Sequence, residues 1–364
     1  MVRDNKRRKV LKTVGLTTAI GAAGLAGCLG DDDAGEAMDP EDFPEFDPEN
    51  PEFPQVLSTL FEHGFEVGTD ADLEAMERRD EPRYGNPVRE PPENDDDRID
   101  PDPLVYAHAP AEDPAGYEDA VAPLMENIEA ETGREVDFYG VNSHAAQVEA
   151  MRSERMHIGH FSPGSLPFAV NMAGAVPISK PVADGTFGYR LFLVTHIDNP
   201  DINSLQDLEG MSVAHVDGSS NSGHLAPMAL FRDEGVVPGD DYEYEFSGGH
   251  DTSLLGVMNR DYDAAPIASI VAAREEAVDP DELKVVWASD PYPVGAVSYR
   301  YNLVQEVQDG IERALLDYDY AGTEYEAQLG HTNMIPVDYA THYDIMLGIH
   351  EENGIEYEED EIDD

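Results

Sequence analysis

Three serines and an asparagine stand at one step of the chain: Ser219, Ser220, Asn221 and Ser222, in the stretch VDGSSNSGHLAPMALF that runs from Val216 to Phe231. Small hydroxyl and amide groups ahead of an apolar helical pattern do one of two jobs. They cap the helix, or they hold an oxyanion, with hydroxyls donating to its oxygens and glycines letting backbone N–H groups come close. A helix N-terminus adds unpaired N–H groups and a favourable partial charge. The same chemistry recurs at three further steps. Ser247, Gly248, Gly249, His250, Asp251 and Thr252 follow YEYEF; Asn142, Ser143 and His144 follow VDFYG; and FSPGS follows HIGH. Taken singly, each step is also what an ordinary N-cap looks like. Five or six converging donors, at roughly 1.5–3 kcal/mol for each bond to a charged group less ordering costs, reach about −8 kcal/mol, the micromolar range.

Two other chemistries fit some of these residues. Ser220, Ser222, His224, His250 and Asp251 could assemble a hydrolytic site, but GSSNSG is not the G-x-S-x-G elbow. His157 and His160, with His108 and His144 upstream, could bind zinc. On a strand, however, that spacing sends the two side chains to opposite faces, and HExxH is absent. Binding without catalysis, metal or cofactor is the expectation.

Neutral donors suit this composition. The 364 residues carry 22 Lys and Arg against 77 Asp and Glu, a net charge of −55, and beyond Lys12 the only lysines are Lys180 and Lys284. Such a surface excludes nucleic acid and anionic membrane faces as partners. With 41% apolar residues in patterned segments, the acid reads as adaptation to brine rather than disorder. Near molar salt the Debye length is about 3 Å, so local donors decide anion binding.

The chain begins with an address. Arg7 and Arg8 sit in a basic stretch followed by an apolar run from Val10 to Leu25, short for a membrane span and right for an export signal. RRKVLK resembles the twin-arginine signal, and LAGC, Leu25 to Cys28, resembles a lipobox. Cys28 would carry the lipid anchor, and as the only cysteine it leaves no internal disulfide. The bulk of the protein is therefore expected on the extracellular face of the membrane. Residues 29–103 read as an acidic, Pro-rich, extended spacer, interrupted by one patterned piece at 55–79 that could form a short helix or two.

From Leu104 strands and helices alternate. LVYAHA, EVDFYGV, MHIGHFS, GYRLFLVTH, MSVAHV, YEYEFSG, YDAAPIA, VVWASDPYP and AVSYR read as strands. YEDAVAPLMENIEAETG, SHAAQVEAMRSER, HDTSLLGVMNRD, VQEVQDGIERALLDY and DYATHYDIMLGIHEENG read as helices, with Ser143 available as an N-cap. This alternation predicts an α/β fold with mostly parallel sheets, whose ligands sit at strand carboxyl ends against helix N-termini.

One stretch is more specific. SNSGHLAP, then GGHDTSLLGV, then YDAA, with LKVVWASDPYPVGAVSYRYNL and DGTFGYRLFLV around them, resembles the periplasmic phosphonate-binding proteins of ABC importers, the PhnD type. The resemblance runs from Leu104 to the C-terminal helices. It implies a type II periplasmic binding-protein fold: one lobe from 104–190 plus 300–350, a second from 191–299, a hinge between them, and an acidic tail at 351–364. It further implies that Ser220, Asn221 and Ser222 hold the phosphorus oxyanion, that His250 donates from the facing helix, and that Tyr189 contributes its phenol. His144 falls where aminoalkylphosphonate binders carry a tyrosine. Where those binders hold the amino group with carboxylates, this chain has Ser269 or Ile270 and Gly295, which shifts the expected ligand toward phosphate, phosphite or a simple alkylphosphonate. The implied partners are an ABC permease and its ATPase, with the receptor a monomer. A receptor for sulfonate, nitrate or a thiamine precursor is the alternative.

Overall fold

In the computed structural model, which describes residues 43–110, 114–183 and 185–357, two six-stranded sheets carry most of the chain. From edge to edge the first contains Asn333–Pro336, Ala175–Val182, Ala296–Arg300, Ile158–Phe161, Leu104–His108 and Val136–Phe138. The second contains Gln55–Val56, Leu283–Ala288, Leu191–His196, Ala264–Ala268, Ser212–His215 and Glu243–Phe246. The parallel parts are the expected strand–helix–strand units: Leu104–His108, the helix Pro114–Thr132, Val136–Phe138, the helix His144–Arg152 and Ile158–Phe161 follow one another in the chain. Helices cover the sheets with apolar stripes. In Gln305–Leu316, Val307, Ile311, Ala314 and Leu315 are fully buried and join a cluster with Leu104, Val121 and Leu124.

The sheets are less parallel than alternation predicts. In each, three of the five neighbouring pairs are antiparallel and two are parallel. Four of these six antiparallel pairs involve Leu191–His196 or Ala296–Arg300, the two strands that arrive from the other sheet and enter in reverse. The strand Ala175–Val182 lies inside its sheet despite Pro177 and Pro181. Proline cannot donate to a ladder and is tolerated at irregularities; Pro177 faces Ser298, where the register shifts.

The passage between the sheets is reinforced by a small sheet of Tyr292–Pro293, Thr186–Tyr189 and Val67–Thr69. Gly188 is forced there: a Cβ on it would lie 2.0 Å from the Tyr292 carbonyl oxygen.

The expectation of an extended spacer over 29–103 needs correction from residue 43 onward. Gln55–Val56 adds an edge strand beside Leu283–Ala288, and Phe46, Phe53 and Phe65 pack with the core around Leu57, Leu60 and Phe192. Further along, the Tyr84 hydroxyl donates to the Ile355 carbonyl, Asn86 N donates to Asn171 Oδ1 at 2.6 Å, and Ile99 bridges to Leu303. These aromatic and aliphatic anchors outweigh the acidic composition that argued for solvation. Cys28, the export signal and the tail beyond 357 lie outside the described residues. No described helix is long and apolar enough to cross a membrane.

Candidate functional site

Ser212–His215 delivers the chain to the serine-rich step, and its buried Val213, Ala214 and His215 fix where that step emerges. Asp217 then organises the loop by accepting from Ser219 N at 2.8 Å and from Ser219 Oγ at 2.9 Å. Ser220 caps the following helix, with its Oγ accepting from Gly223 N at 3.3 Å. The helix opens in a wide turn: both His224 N and Leu225 N donate to the Ser220 carbonyl, each at 3.0 Å. The N–H groups of Asn221 and Ser222 precede these bonds and have no intrahelical acceptor. The site is crowded. A Cβ on Gly223 would lie 2.4 Å from the Val216 side chain. Gly223→Ala is therefore expected to cost about 1–3 kcal/mol of stability as an overpacked core position does, and thermal denaturation measures it.

All six residues expected to bind ligand line one cleft of about 640 Å³: His144, Tyr189, Ser220, Asn221, Ser222 and His250. Ser220, Asn221 and Ser222 are each buried. Asn221 Nδ2 donates to Tyr189 Oη at 3.1 Å, and Tyr189 also meets the Ser222 hydroxyl. Burial raises the Tyr189 pKa, so the phenol keeps its proton. Asn221 Oδ1 is buried without a partner.

His250 opens the facing helix, His250–Met258. Its Nδ1 lies 3.2 Å from Ala268 N, and a backbone N–H can only donate, so Nδ1 must carry the lone pair. Burial lowers the His250 pKa to about 4, despite Asp217 and Asp251 nearby. At neutral pH the ring is therefore uncharged and its one proton sits on Nε2, a fixed neutral donor. His144 is similarly held neutral by burial, with Nδ1 3.4 Å from Ser219 Oγ. The loop Ser162–Ser165 completes this side; a Cβ on Gly164 would lie 2.8 Å from the Ser219 carbonyl oxygen.

Several lining residues carried no motif. Ile270, Val271, Val294, Pro110 and Pro163 form an apolar wall. Arg274 is the one Lys or Arg among the lining residues, and its Nη2 donates to the Leu329 carbonyl at 2.9 Å. As the only arginine between Arg260 and Arg300 it was visible in the sequence, but nothing in its neighbours marked it. Asp217, Asp251, Glu275 and Glu276 also border the cleft. Ile270 and Gly295 line it, while Ser269 is buried behind it. No side chain fits at position 295, where a Cβ would lie 2.1 Å from the Phe161 carbonyl oxygen.

The residues of the two rival chemistries are otherwise engaged. His224 Nδ1 meets His215 Nδ1 at 2.9 Å, and His250 Nδ1 meets Ala268 N. His157 Nδ1 accepts from Val105 N at 3.1 Å, and His160 stacks on His108 with centroids 4.3 Å apart. Among the described residues no group of three or more His, Cys, Asp or Glu is placed to hold a metal ion.

Residues 106–343 match the family described as ABC transporter, phosphonate, periplasmic substrate-binding protein. The chain is 33% identical over 205 residues to the phosphate-import protein PhnD of Mycolicibacterium smegmatis, an alignment covering 52% of this chain and 64% of that one. It is 27% identical over 204 residues to the phosphonates-binding periplasmic protein of Escherichia coli, covering 54% and 60%. The chain thus spans less than two thirds of either relative. Among solved structures, PhnD1 from Prochlorococcus marinus in complex with methylphosphonate superposes with a TM-score of 0.61 at 16% identity, covering 70% of this chain and 99% of that one. A binding protein component of an ABC phosphonate transporter from Pseudomonas aeruginosa gives 0.59 at 22% identity, covering 70% and 86%. These two likenesses show the fold, that of two-lobed periplasmic binding proteins.

Proposed function

Because the chain belongs to the family of phosphonate substrate-binding proteins of ABC transporters, we propose that it is an extracytoplasmic receptor that takes a phosphorus oxyanion and passes it to a permease driven by an ATPase. The ligand class is phosphonate, phosphite or phosphate. The observation that carries this reading is the convergence of Ser220, Asn221, Ser222, Tyr189, His144 and His250 on one cleft, with His250 held in the Nε2–H form by Ala268 N. Two helix N-termini and neutral hydroxyl, amide and imidazole donors suit an oxyanion without a lysine. The glycine at 295 and the isoleucine at 270 leave those positions without a carboxylate for an amino group, which favours ligands that lack one. The reading needs no cofactor and no bond-making step, and it places the receptor as a monomer on the outer face of the membrane, exported by the twin-arginine route and anchored at Cys28.

Calorimetric titration of the whole chain with phosphate, phosphite, methylphosphonate and a sulfonate tests this. Heat with at least one phosphorus oxyanion and weaker binding of the sulfonate is the expected outcome; no heat with any phosphorus oxyanion contradicts it. The affinity is also expected to change less than about threefold between 0.5 and 3 M salt, since fixed dipoles at contact distance are little screened. A steep loss with salt would mean that distant charge, not the local donors, holds the ligand.

A further inference from the structure

The segment Phe65–Thr69 precedes the family-matching span, which starts at residue 106, yet it touches the frame of the cleft at three points. Val67 and Gly68 pair with Tyr189 and Gly188 of the strand that passes between the sheets. The Glu66 carbonyl accepts from Ser269 Oγ, and the same Oγ accepts from Arg190 N at 3.0 Å, while Ser269 N donates to the Arg190 carbonyl at 3.0 Å. The Phe65 ring lies 4.2 Å from the Arg190 guanidinium carbon and stacks at 7° to Phe192, centroids 6.3 Å apart.

These contacts lie directly behind the donors. Tyr189, which pairs with Val67, receives the Asn221 amide. Ala268, the residue before Ser269, donates to His250 Nδ1. One short segment therefore fixes the attachment points of both halves of the cradle: Asn221 through Tyr189, and His250 through Ser269 and Ala268. We propose that Phe65–Thr69 is a positioning brace that sets the spacing between the Asn221 and His250 helix N-termini, an inference that rests on the cleft being the oxyanion site. The residues upstream of the family-matching span are then part of the receptor's recognition machinery and more than a link to the membrane.

The test uses the full chain with Ser269→Ala, which removes the Oγ bonds to the Glu66 carbonyl and Arg190 N, and Phe65→Ala, which removes the platform under Arg190. Leu315→Ala, a fully buried residue of the other core cluster, serves as a control for general loss of stability. At a temperature where circular dichroism shows all variants folded, amide exchange at Ala268 and over 250–254 is measured without ligand, and methylphosphonate affinity by calorimetry. Both brace variants are expected to exchange faster at Ala268 and over 250–254 and to bind about tenfold more weakly, the size of one lost hydrogen bond, with the control unchanged in both. Brace variants that match the wild type, or a control that shifts as much as they do, overturn the proposal. If the wild type binds no phosphorus oxyanion, the ligand reading fails separately, and the exchange measurement still decides the brace.

Discussion

Lowering the pH from 7 to 5 is expected to destabilise this protein strongly, because burial holds a set of histidines neutral. His160, His224, His250 and His342 are pushed down to about 4, and His215, His331 and His350 to about 3. Desolvation is the largest cause in every case. In the unfolded chain each returns to about 6.5. Below that value the unfolded chain binds protons that the native state refuses, so stability is complete above about pH 6.5 and is lost as the pH falls toward the folded values. His215 and His350, with no exposed surface, are each expected to cost about 2 kcal/mol at pH 5. Together that is a fall of roughly 8 °C in melting temperature at about 2 °C per kcal/mol, and the others add to it. Replacing one group checks the cause: His350→Phe, which keeps a ring beside Phe168 and Tyr357, is expected to flatten the slope between pH 6.5 and 5 by one proton. A melting temperature unchanged from pH 7 to 5 would contradict the assignment of these rings as neutral and buried.

The second large effect concerns binding. Ser222→Ala removes a hydroxyl at the helix N-terminus, and His250→Ala removes the Nε2–H donor on the facing side. Each is expected to weaken oxyanion binding by about 1–3 kcal/mol, or roughly 5–150-fold. The two sit on separate elements, so their effects should add to about 4 kcal/mol, near a thousandfold. His250→Ala also leaves Ala268 N without its acceptor, which makes it the costlier change for stability. Calorimetry at neutral pH reads both; a double variant that binds like the wild type would place the ligand elsewhere.

Much of the site was legible because its chemistry is local. Hydroxyls, glycines and a strand-to-helix step within six residues define the Ser220–Ser222 loop and the Gly248–His250 loop without any tertiary information. That the two loops share a cleft with Tyr189 and His144 depends on strand order, which spacing alone does not encode. The helices with clean apolar stripes, such as Gln305–Leu316, were also readable. Ala175–Val182 was not, since Pro177 and Pro181 argue against an interior strand; Pro177 faces Ser298, where the register shifts. The N-terminal region misled for a different reason. Its acidic and proline content predicts solvation, whereas its attachment depends on a few widely spaced residues, Phe46, Phe53, Phe65 and Tyr84; Phe65 stacks on Phe192 and Tyr84 donates to the Ile355 carbonyl, both more than a hundred residues away. Arg274 carried no local pattern, and its place in the cleft follows only from the helix Ser269–Arg274 folding back along the cleft wall.

The central claim is that neutral donors at two facing helix N-termini hold the anion. A crystal structure of the whole protein grown with methylphosphonate addresses it most directly. The account predicts phosphonate oxygens within hydrogen-bond distance of Ser222 Oγ, Tyr189 Oη and His250 Nε2, with the methyl group toward Ile270 and Val294. A phosphonate held at Arg274, or anywhere outside the span between Ser222 and His250, would contradict it.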